Sequence, residues 1–336
     1  MRIRSLNESK NFNGKIFINS IPTKLFQSGK VWSTFFEMIR DRKKREPKLT
    51  PGPFPVDLPS LGSVADNEIS FLWMGHSTLL IFIEGSVFLT DPVWAKRASP
   101  FSFAGPKRFF EAPLKIDELP NIDGIILSHD HFDHLDSTAI RLFGEKGIPF
   151  YCPIGVGGLL AKWNIPESQI REFDWWEEFT TDSGIQLIST PARHFSGRSI
   201  INRNKTLWTS WVIKGKSHNI FFGGDSGYFP GFRSIGDKFG PFDISMLEIG
   251  AYHPNWGSIH LGPQNAIKAH LDLNSKIMLP IHWGLFNLAL HGWTEPVEEI
   301  INLAKINKVN LCLPSPGALI KKDHFEQISC WWRNNN

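Results

Sequence analysis

The chain has 336 residues, of which 41% are hydrophobic and 21% are charged. This composition is that of an ordinary globular protein with enough apolar residues for a sizeable core. Its 36 basic and 33 acidic residues give a net charge of +3. That balance argues against the strongly basic face with which proteins bind nucleic acid, so neither a nucleic-acid partner nor a nuclease is expected.

Targeting signals and cysteines bear on the compartment. The first twenty residues are polar and lack the apolar stretch of a signal peptide, and no run approaches the ~18 apolar residues of a membrane-spanning helix. Cys152, Cys312 and Cys330 are widely spaced and form no CxxC pair, which argues against a disulfide framework and against a thiolate metal site. We therefore expect a cytoplasmic protein that can still contact a membrane at its surface.

Residues 1–50 predict an N-terminal extension that ends in a proline-rich linker. Its apolar side chains fall at helical spacing, at Trp32, Phe35, Phe36 and Ile39. Five basic residues follow at 40–45. We expect a helix that packs on the body of the protein and leaves its basic end in solvent. The alternative is an amphipathic segment that lies on anionic lipid as a peripheral membrane contact.

Short β-type runs and amphipathic segments alternate from residue 69 onward. Predicted strands occupy 69–73, 78–84, 86–90, 122–128, 150–152, 184–190, 207–214, 219–223, 244–248, 276–280 and 311–314. Predicted helices occupy 136–146, 263–271 and 296–306. Strands mixed with spaced helices indicate sheets covered by helices, so we predict a single α/β domain over residues 51–320 and a C-terminal tail at 321–336.

The most informative segment is a histidine-rich sequence that directly follows the predicted strand 122–128. His129, His131 and His134, with Asp133 among them, fall within six residues. Because alternate side chains of an extended segment point the same way, His129 and His131 can bind one ion. After the chain turns, Asp133 and His134 can face a second ion. Imidazole and carboxylate ligands without thiolate suit zinc, manganese or iron, although a histidine-rich surface loop is the alternative.

Three further candidate ligands follow predicted strands later in the chain: His194, Asp225 and His282. Loops at one edge of a sheet are where α/β enzymes assemble their sites, so we expect these side chains to join the histidine-rich segment. Gly223 and Gly224 lack side chains and let the backbone approach the ions. A single carboxylate at Asp225 could then bridge two metals. Asp91, at the end of an early strand, is better placed to orient a ligand histidine than to bind metal itself.

This pattern resembles the metallo-β-lactamase superfamily: an HxHxDH motif at 129–134, a lone histidine, a GGD sequence at 223–225 and a late histidine. More specific sequences resemble the branch of N-acyl-phosphatidylethanolamine-hydrolysing phospholipases D: GPKRF at 105–109, GPFD at 240–243 and IGAY at 249–252. The resemblance covers residues 51–316. It implies an αββα sandwich in a single domain, with a dinuclear site on one edge.

The resemblance also implies a role for each residue that matches the family motifs. It assigns one zinc ion to His129, His131 and His194, and the other to Asp133, His134 and His282, with Asp225 shared. It implies catalytic roles for Asp133, Asp225 and His260, and substrate contacts for Phe132, His260 and Arg198. Phe132 stands where the relatives carry a tyrosine, so a hydroxyl that could touch the substrate is missing.

The predicted function is that of a dinuclear zinc phosphodiesterase of phospholipase D type, which acts on N-acyl-phosphatidylethanolamine or a similar phosphodiester. A metal-bridged hydroxide would be the nucleophile, because metal ions lower the pKa of bound water to about 7; manganese or iron could replace zinc. Two alternatives stay open: a metal-dependent lactonase, and a non-catalytic metal-binding protein associated with membranes. An oxygen-reducing diiron member of the superfamily is disfavoured, since those tend to carry a glutamate where His131 stands.

Overall fold

Two seven-stranded sheets form the centre of the computed structural model, which describes residues 3–24, 45–62, 65, 67–199, 201–253, 256 and 258–335. The strands of the first sheet are β1 (Ile69–Trp73), β2 (Leu79–Ile83), β3 (Ser86–Thr90), β4 (Gly124–Ile126), β5 (Phe150–Pro153), β6 (Ile170–Phe173) and β14 (Leu319–Lys321), in the order β14-β1-β2-β3-β4-β5-β6. Those of the second are β7 (Glu178–Thr180), β8 (Gln186–Thr190), β9 (Ser210–Lys214), β10 (Asn219–Phe222), β11 (Phe242–Glu248), β12 (Ser275–Ile281) and β13 (Asn310–Leu311), in the order β13-β12-β11-β10-β9-β8-β7.

Helices cover the outer faces of both sheets. The longer helices of the described residues are α1 (Ser137–Glu145) and α2 (Val156–Lys162) on the first sheet, and α3 (Gly231–Phe239), α4 (Gly262–Asp272) and α5 (Glu295–Asn307) on the second. This order of layers confirms the αββα sandwich that the resemblance implied. Within the described ranges, no helix combines the length and the apolar character needed to cross a bilayer.

The strands of the first sheet are buried on both faces. In β1, Phe71 joins the large core that both sheets share, whereas Leu72 joins a separate core under α1. In β2, Ile81 joins the shared core and Leu80 joins the core under α1. Successive side chains of a strand point to opposite faces. A continuous apolar run such as 69–73 therefore becomes a strand that is covered on both sides.

The two ends of the chain pack against the sandwich. Phe17 is fully buried in a small core with Trp175 and Trp208, and Trp332, also fully buried, donates from Nε1 to the Glu298 carboxylate (2.7 Å). The predicted boundaries 1–50, 51–320 and 321–336 stay a prediction. The amphipathic helix expected around 32–39 and the basic residues at 40–44 lie outside the described residues.

Candidate metal centre

Parallel pairing brings several strand ends to one edge of the sandwich. In the second sheet β10 pairs in parallel with β11, and β11 with β12, with Glu248 opposite Ile281. In the first sheet β3 and β4 are parallel, with Thr90 opposite Ile126. The carboxyl ends of parallel strands meet at the same edge, so the loops that follow β3, β4, β10 and β12 lie together. The loops after β4, β10 and β12, with the one after β8, carry the predicted ligands, and Asp91 directly follows β3.

One group of predicted ligands combines three imidazoles with a carboxylate. The ligand atoms of His129, His131, His194 and Asp225 all lie within 4.8 Å of one another. The Nε2 atom of His129 is 2.8 Å from Nδ1 of His131, and Nε2 of His194 is 3.3 Å from the same atom. Three ring nitrogens that converge on one point are the arrangement by which imidazoles hold a metal ion.

A second group lies beside the first and shares its carboxylate. Oδ2 of Asp133 is 3.4 Å from Nε2 of His282 and 3.6 Å from Nε2 of His134. Asp225 reaches this group with 3.2 Å contacts, from Oδ1 to His134 and from Oδ2 to His282. Its Oδ2 is also 3.8 Å from Nε2 of His129 in the first group. The Asp225 carboxylate therefore stands between the two groups, as a bridging ligand would.

Three buried atoms of these groups test whether a metal ion fits. Among the described residues, Nε2 of His134, Nε2 of His282 and Oδ1 of Asp225 are buried without a hydrogen-bond partner. Buried polar atoms in proteins are normally paired, and each exception needs an explanation. A cation coordinated by all three would satisfy them. The donor set fits zinc, manganese or iron.

The electrostatics of the edge favour a positive charge. Burial alone would lower the pKa of His134, but the carboxylates of Asp225 and Asp133 raise it well above the usual value. The same two carboxylates also outweigh burial at His282 and raise its pKa to about 10. Burial, by contrast, lowers the pKa of His129 and keeps its imidazole neutral, the form in which a histidine binds metal. The buried carboxylate of Asp225 and the half-buried one of Asp133 thus favour the positive charge that a divalent cation supplies.

The candidate ligand histidines are oriented by hydrogen bonds from their other ring nitrogens. Nδ1 of His134 donates to Oδ2 of Asp91 (2.7 Å), and that carboxylate also accepts from the Ser128 backbone N–H (2.7 Å). Nδ1 of His194 donates to the carbonyl of Ile259 (2.8 Å). Such partners fix the tautomer and turn the remaining nitrogen towards a metal. Asp91 therefore makes the contact that was predicted for it.

The backbone at the same edge adopts conformations that are uncommon for residues with a side chain. His76, Asp91 and His282 have φ values of 54°, 34° and 62°. Non-glycine residues in this left-handed region cost free energy and cluster at functional sites. At Gly224 (φ 54°) a Cβ would come within 2.6 Å of the Ser128 side chain, so this position of the GGD sequence requires glycine.

Two further residues, His76 and Glu248, contact predicted site residues at this edge, and the sequence analysis missed Glu248. Nε2 of His76 is 3.0 Å from Oδ2 of Asp133. Glu248, at the end of β11, is buried and accepts a 2.5 Å hydrogen bond from Nδ1 of the predicted catalytic residue His260. Burial raises the pKa of Glu248. For Glu248, the one available signal was a carboxylate at the end of an apolar strand, directly before the IGAY sequence.

Arg198 and Phe132, the predicted substrate contacts, lie against each other. The guanidinium of Arg198 is 3.8 Å from the centre of the Phe132 ring. Its Nη1 donates to the carbonyls of Asp130 (2.9 Å) and Leu135 (2.8 Å), on either side of the ligands Asp133 and His134. Burial lowers the pKa of Arg198 to about 10, so it is still charged at neutral pH. Arg198 thus braces the segment 129–134, the ligand loop, which carries four of the candidate ligands. Its contact with substrate stays a prediction.

Known proteins resemble the chain both in sequence and in structure. The model of the beta-lactamase superfamily domain matches residues 87–283. An uncharacterised protein of Mycobacterium tuberculosis is 38% identical over 98% of this chain and 90% of its own length. N-acyl-phosphatidylethanolamine-hydrolyzing phospholipase D 1 of Caenorhabditis elegans is 37% identical over 69% of this chain and 68% of its own length. A metallo hydrolase of Ignicoccus hospitalis shares the fold, with a TM-score of 0.59 and 19% identity over 75% of this chain and 97% of its own.

The fold and the matched domain define a metal-dependent hydrolase. The chain belongs to the metallo-β-lactamase superfamily, and within it resembles the phospholipases D that hydrolyse N-acyl-phosphatidylethanolamine.

Proposed function

We propose that the chain is a dinuclear metal-dependent phosphodiesterase of phospholipase D type that acts on N-acyl-phosphatidylethanolamine or a close analogue. The observation that carries the proposal is the Asp225 carboxylate between two groups of imidazoles. The likeness to the Caenorhabditis elegans enzyme supports the substrate class. We propose zinc for both ions, with manganese or iron as alternatives. The residues that would hold them are His129, His131 and His194 for one, Asp133, His134 and His282 for the other, and Asp225 for both.

Bound ions would activate water at neutral pH and neutralise the charge of a phosphoryl group. The chain's own contribution starts with His260, which lines a cavity of about 540 Å³ together with Tyr252 and Trp256. Glu248 accepts the Nδ1 proton of His260 and raises the pKa of its imidazole against the effect of burial. The charged form carries a second proton on Nε2, which can donate a hydrogen bond to a phosphoryl or leaving oxygen. Such a bond stabilises charge that develops during the reaction.

The direct test is hydrolysis of N-acyl-phosphatidylethanolamine in mixed micelles by the metal-loaded protein, with products measured by mass spectrometry. We expect phosphatidic acid and N-acylethanolamine. In water labelled with heavy oxygen the label should enter phosphatidic acid, because water attacks phosphorus. Turnover of lactones without cleavage of any phosphodiester would instead identify a lactonase. If the metal-loaded protein turned over neither substrate class, it would be a binding protein.

Replacing Arg198 by alanine separates phosphate binding from support of the ligand loop. If the guanidinium holds phosphate, kcat/KM for the phosphodiester should fall by ~1.5–3 kcal/mol in transition-state free energy, the range for a hydrogen bond to a charged group. Hydrolysis of a neutral lactone by the same enzyme should change little. Arg141→Ala, an exposed arginine on α1, is the control. Equal losses on both substrates would assign Arg198 to bracing alone.

A further inference from the structure

The 96–108 loop, which follows β3, projects from the sandwich beside the ligand loop. Backbone hydrogen bonds close its base, from Ala98 N–H to the Pro106 carbonyl and from Arg108 N–H to the Lys96 carbonyl (3.0 Å each). The Arg97 side chain ties its interior, with Nη1 donating to the Gly105 carbonyl (2.6 Å). The loop is therefore a formed element that presents its tip in a fixed way.

The tip of the 96–108 loop is apolar and exposed. Phe101 is 55% and Phe103 80% exposed, and their ring centroids lie 5.5 Å apart. Neighbouring large apolar side chains that face solvent mark a contact surface. Lys96 and Lys107 are also exposed, and the sequence 96–108 contains no acidic residue.

The same tip borders the candidate metal centre. A cavity of about 370 Å³ is lined by Phe101 of the loop, by Phe132 from between two candidate ligands, and by Arg198. A surface that the tip contacts would therefore lie next to the ligand loop. Aromatic tips flanked by basic side chains suit the boundary between acyl chains and anionic headgroups, where the ring is buried and the cation stays wet.

We propose that the 96–108 loop docks the protein on a lipid surface that contains anionic lipid, with Phe101 and Phe103 inserted at the headgroup boundary. A bilayer accepts two protruding rings without a shaped groove, and the lysines match its charge. This proposal rests on the proposed function, because a lipid substrate must reach the ligand loop from such a surface.

The test is sedimentation of the full chain with vesicles of phosphatidylcholine, with and without phosphatidylglycerol. The double variant Phe101→Ser and Phe103→Ser should lower the partition coefficient on anionic vesicles by about tenfold or more, since two apolar side chains no longer leave water. Ile306→Ser, which alters a 76% exposed side chain at the end of α5, is the matched control and should bind like the wild type.

The outcomes separate this proposal from the proposed function. Turnover of a short-chain soluble phosphodiester should survive in the single variant Phe103→Ser, because Phe103 does not line the cavity of Phe132 and Arg198. Suppose that the wild type binds vesicles without cleaving any phosphodiester, while the double variant loses that binding. This result would support the docking surface and overturn the proposed function. Unchanged vesicle binding by the double variant would overturn the docking surface. So would a wild type that self-associates in ultracentrifugation through these phenylalanines and ignores vesicles, because its partner would then be a second copy.

An independent observation concerns the N-terminal segment 3–24, which reaches the candidate metal centre through one side chain. The amide of Asn19 pairs with the backbone of His194 in both directions: Nδ2 donates to the carbonyl (2.8 Å), and Oδ1 accepts from the N–H (3.0 Å). Oδ1 also accepts from Nε1 of Trp208 (3.2 Å). The buried side chain of Phe17 anchors the segment two residues earlier.

From this pairing we infer that Asn19 is a positioning residue for the ion held by His129, His131 and His194. The amide fixes the backbone of His194, while the Ile259 carbonyl fixes its ring. Loss of such supporting contacts typically lowers metal affinity by about 10–100-fold. The segment 3–24 would then be part of the metal centre.

Calorimetric titration of the demetallated full chain with zinc tests this inference. Asn19→Ala should weaken one of two binding steps by about tenfold or more and leave the other step unchanged. Asn19→Asp keeps the acceptor and loses the donor, so the zinc affinity of that step should lie between those of the wild type and Asn19→Ala. The control is Asn13→Ala, because Asn13 lies in the same segment and, within the described part of the chain, its Oδ1 accepts only from the N–H groups of Lys15 and Ile16. Wild-type titration curves for folded Asn19→Ala, or equal weakening of both steps in both Asn19 variants, would overturn the inference.

Discussion

Replacing Asp225 by alanine should abolish hydrolysis and lower the metal content of the purified chain from close to two ions towards one or none. Its carboxylate contacts imidazoles of both ligand groups at 3.2–3.8 Å, so no other side chain among the described residues is placed to replace it as a bridge. His282→Ala should lose only the ion of the group that His282 forms with Asp133 and His134, because one of its ligands is missing. Elemental analysis of protein purified without chelator measures both effects.

A control separates loss of a ligand from general loss of structure. His270 is a buried histidine on α4 whose Nδ1 contacts the Ser245 hydroxyl at 2.8 Å, and it belongs to neither ligand group. His270→Ala should keep the metal content of the wild type even if its thermal stability falls. Active wild-type protein without transition metal, or a normal metal content in Asp225→Ala, would contradict the assignment of the centre.

The fold could be predicted from the sequence where local apolar patterns decide the structure. The runs at 69–73 and 86–90 match β1 and β3 at every residue. The helices α2 and α3 were missed because each contains glycines, which disfavour helix. Packing explains two of these: a Cβ at Gly157 would lie 2.7 Å from the Glu172 carboxylate, and one at Gly236 would lie 2.2 Å from the Asp272 carbonyl. These close approaches are set by tertiary structure, which no local pattern reveals.

The candidate site likewise has one part that local sequence predicts and another that only the tertiary structure reveals. The seven predicted ligands could be found because four lie within six residues and the others follow strands. Contacts between distant segments could not be found. His76 meets Asp133 across 57 positions, and Asn19 meets His194 across 175. Glu248 has its partner only 12 positions later, but the loop between them gives no periodic signal. Candidate ligands can thus be recognised in the sequence, whereas the side chains that orient them depend on topology.

Replacing Glu248 by glutamine should lower kcat by about 10–100-fold, the usual cost of losing an orienting partner of a site residue, while both metal ions stay bound. The glutamine carbonyl oxygen can still accept from the N–H groups of Ser226 and Leu261, which now donate to one carboxylate oxygen (2.7 and 3.2 Å). Its amide nitrogen would then face the Nδ1 proton of His260, so that two donors oppose each other. His260 must rotate or give up its Nδ1 proton and with it its positive charge, and its hydrogen bond to substrate is then weaker.

The measurement is steady-state kinetics on a soluble phosphodiester, with metal analysis of the same sample. The matched control is Glu299→Gln. Glu299 lines the cavity of about 540 Å³ that His260 also lines, and it contacts the Tyr252 hydroxyl at 3.1 Å but not His260. We expect the control to alter KM more than kcat. A Glu248→Gln enzyme that turned over like the wild type would remove Glu248 from any orienting role. A loss of activity that tracks a loss of metal would instead make Glu248 a support of the ions, since its Oε2 also lies 4.0 Å from Nδ1 of His282.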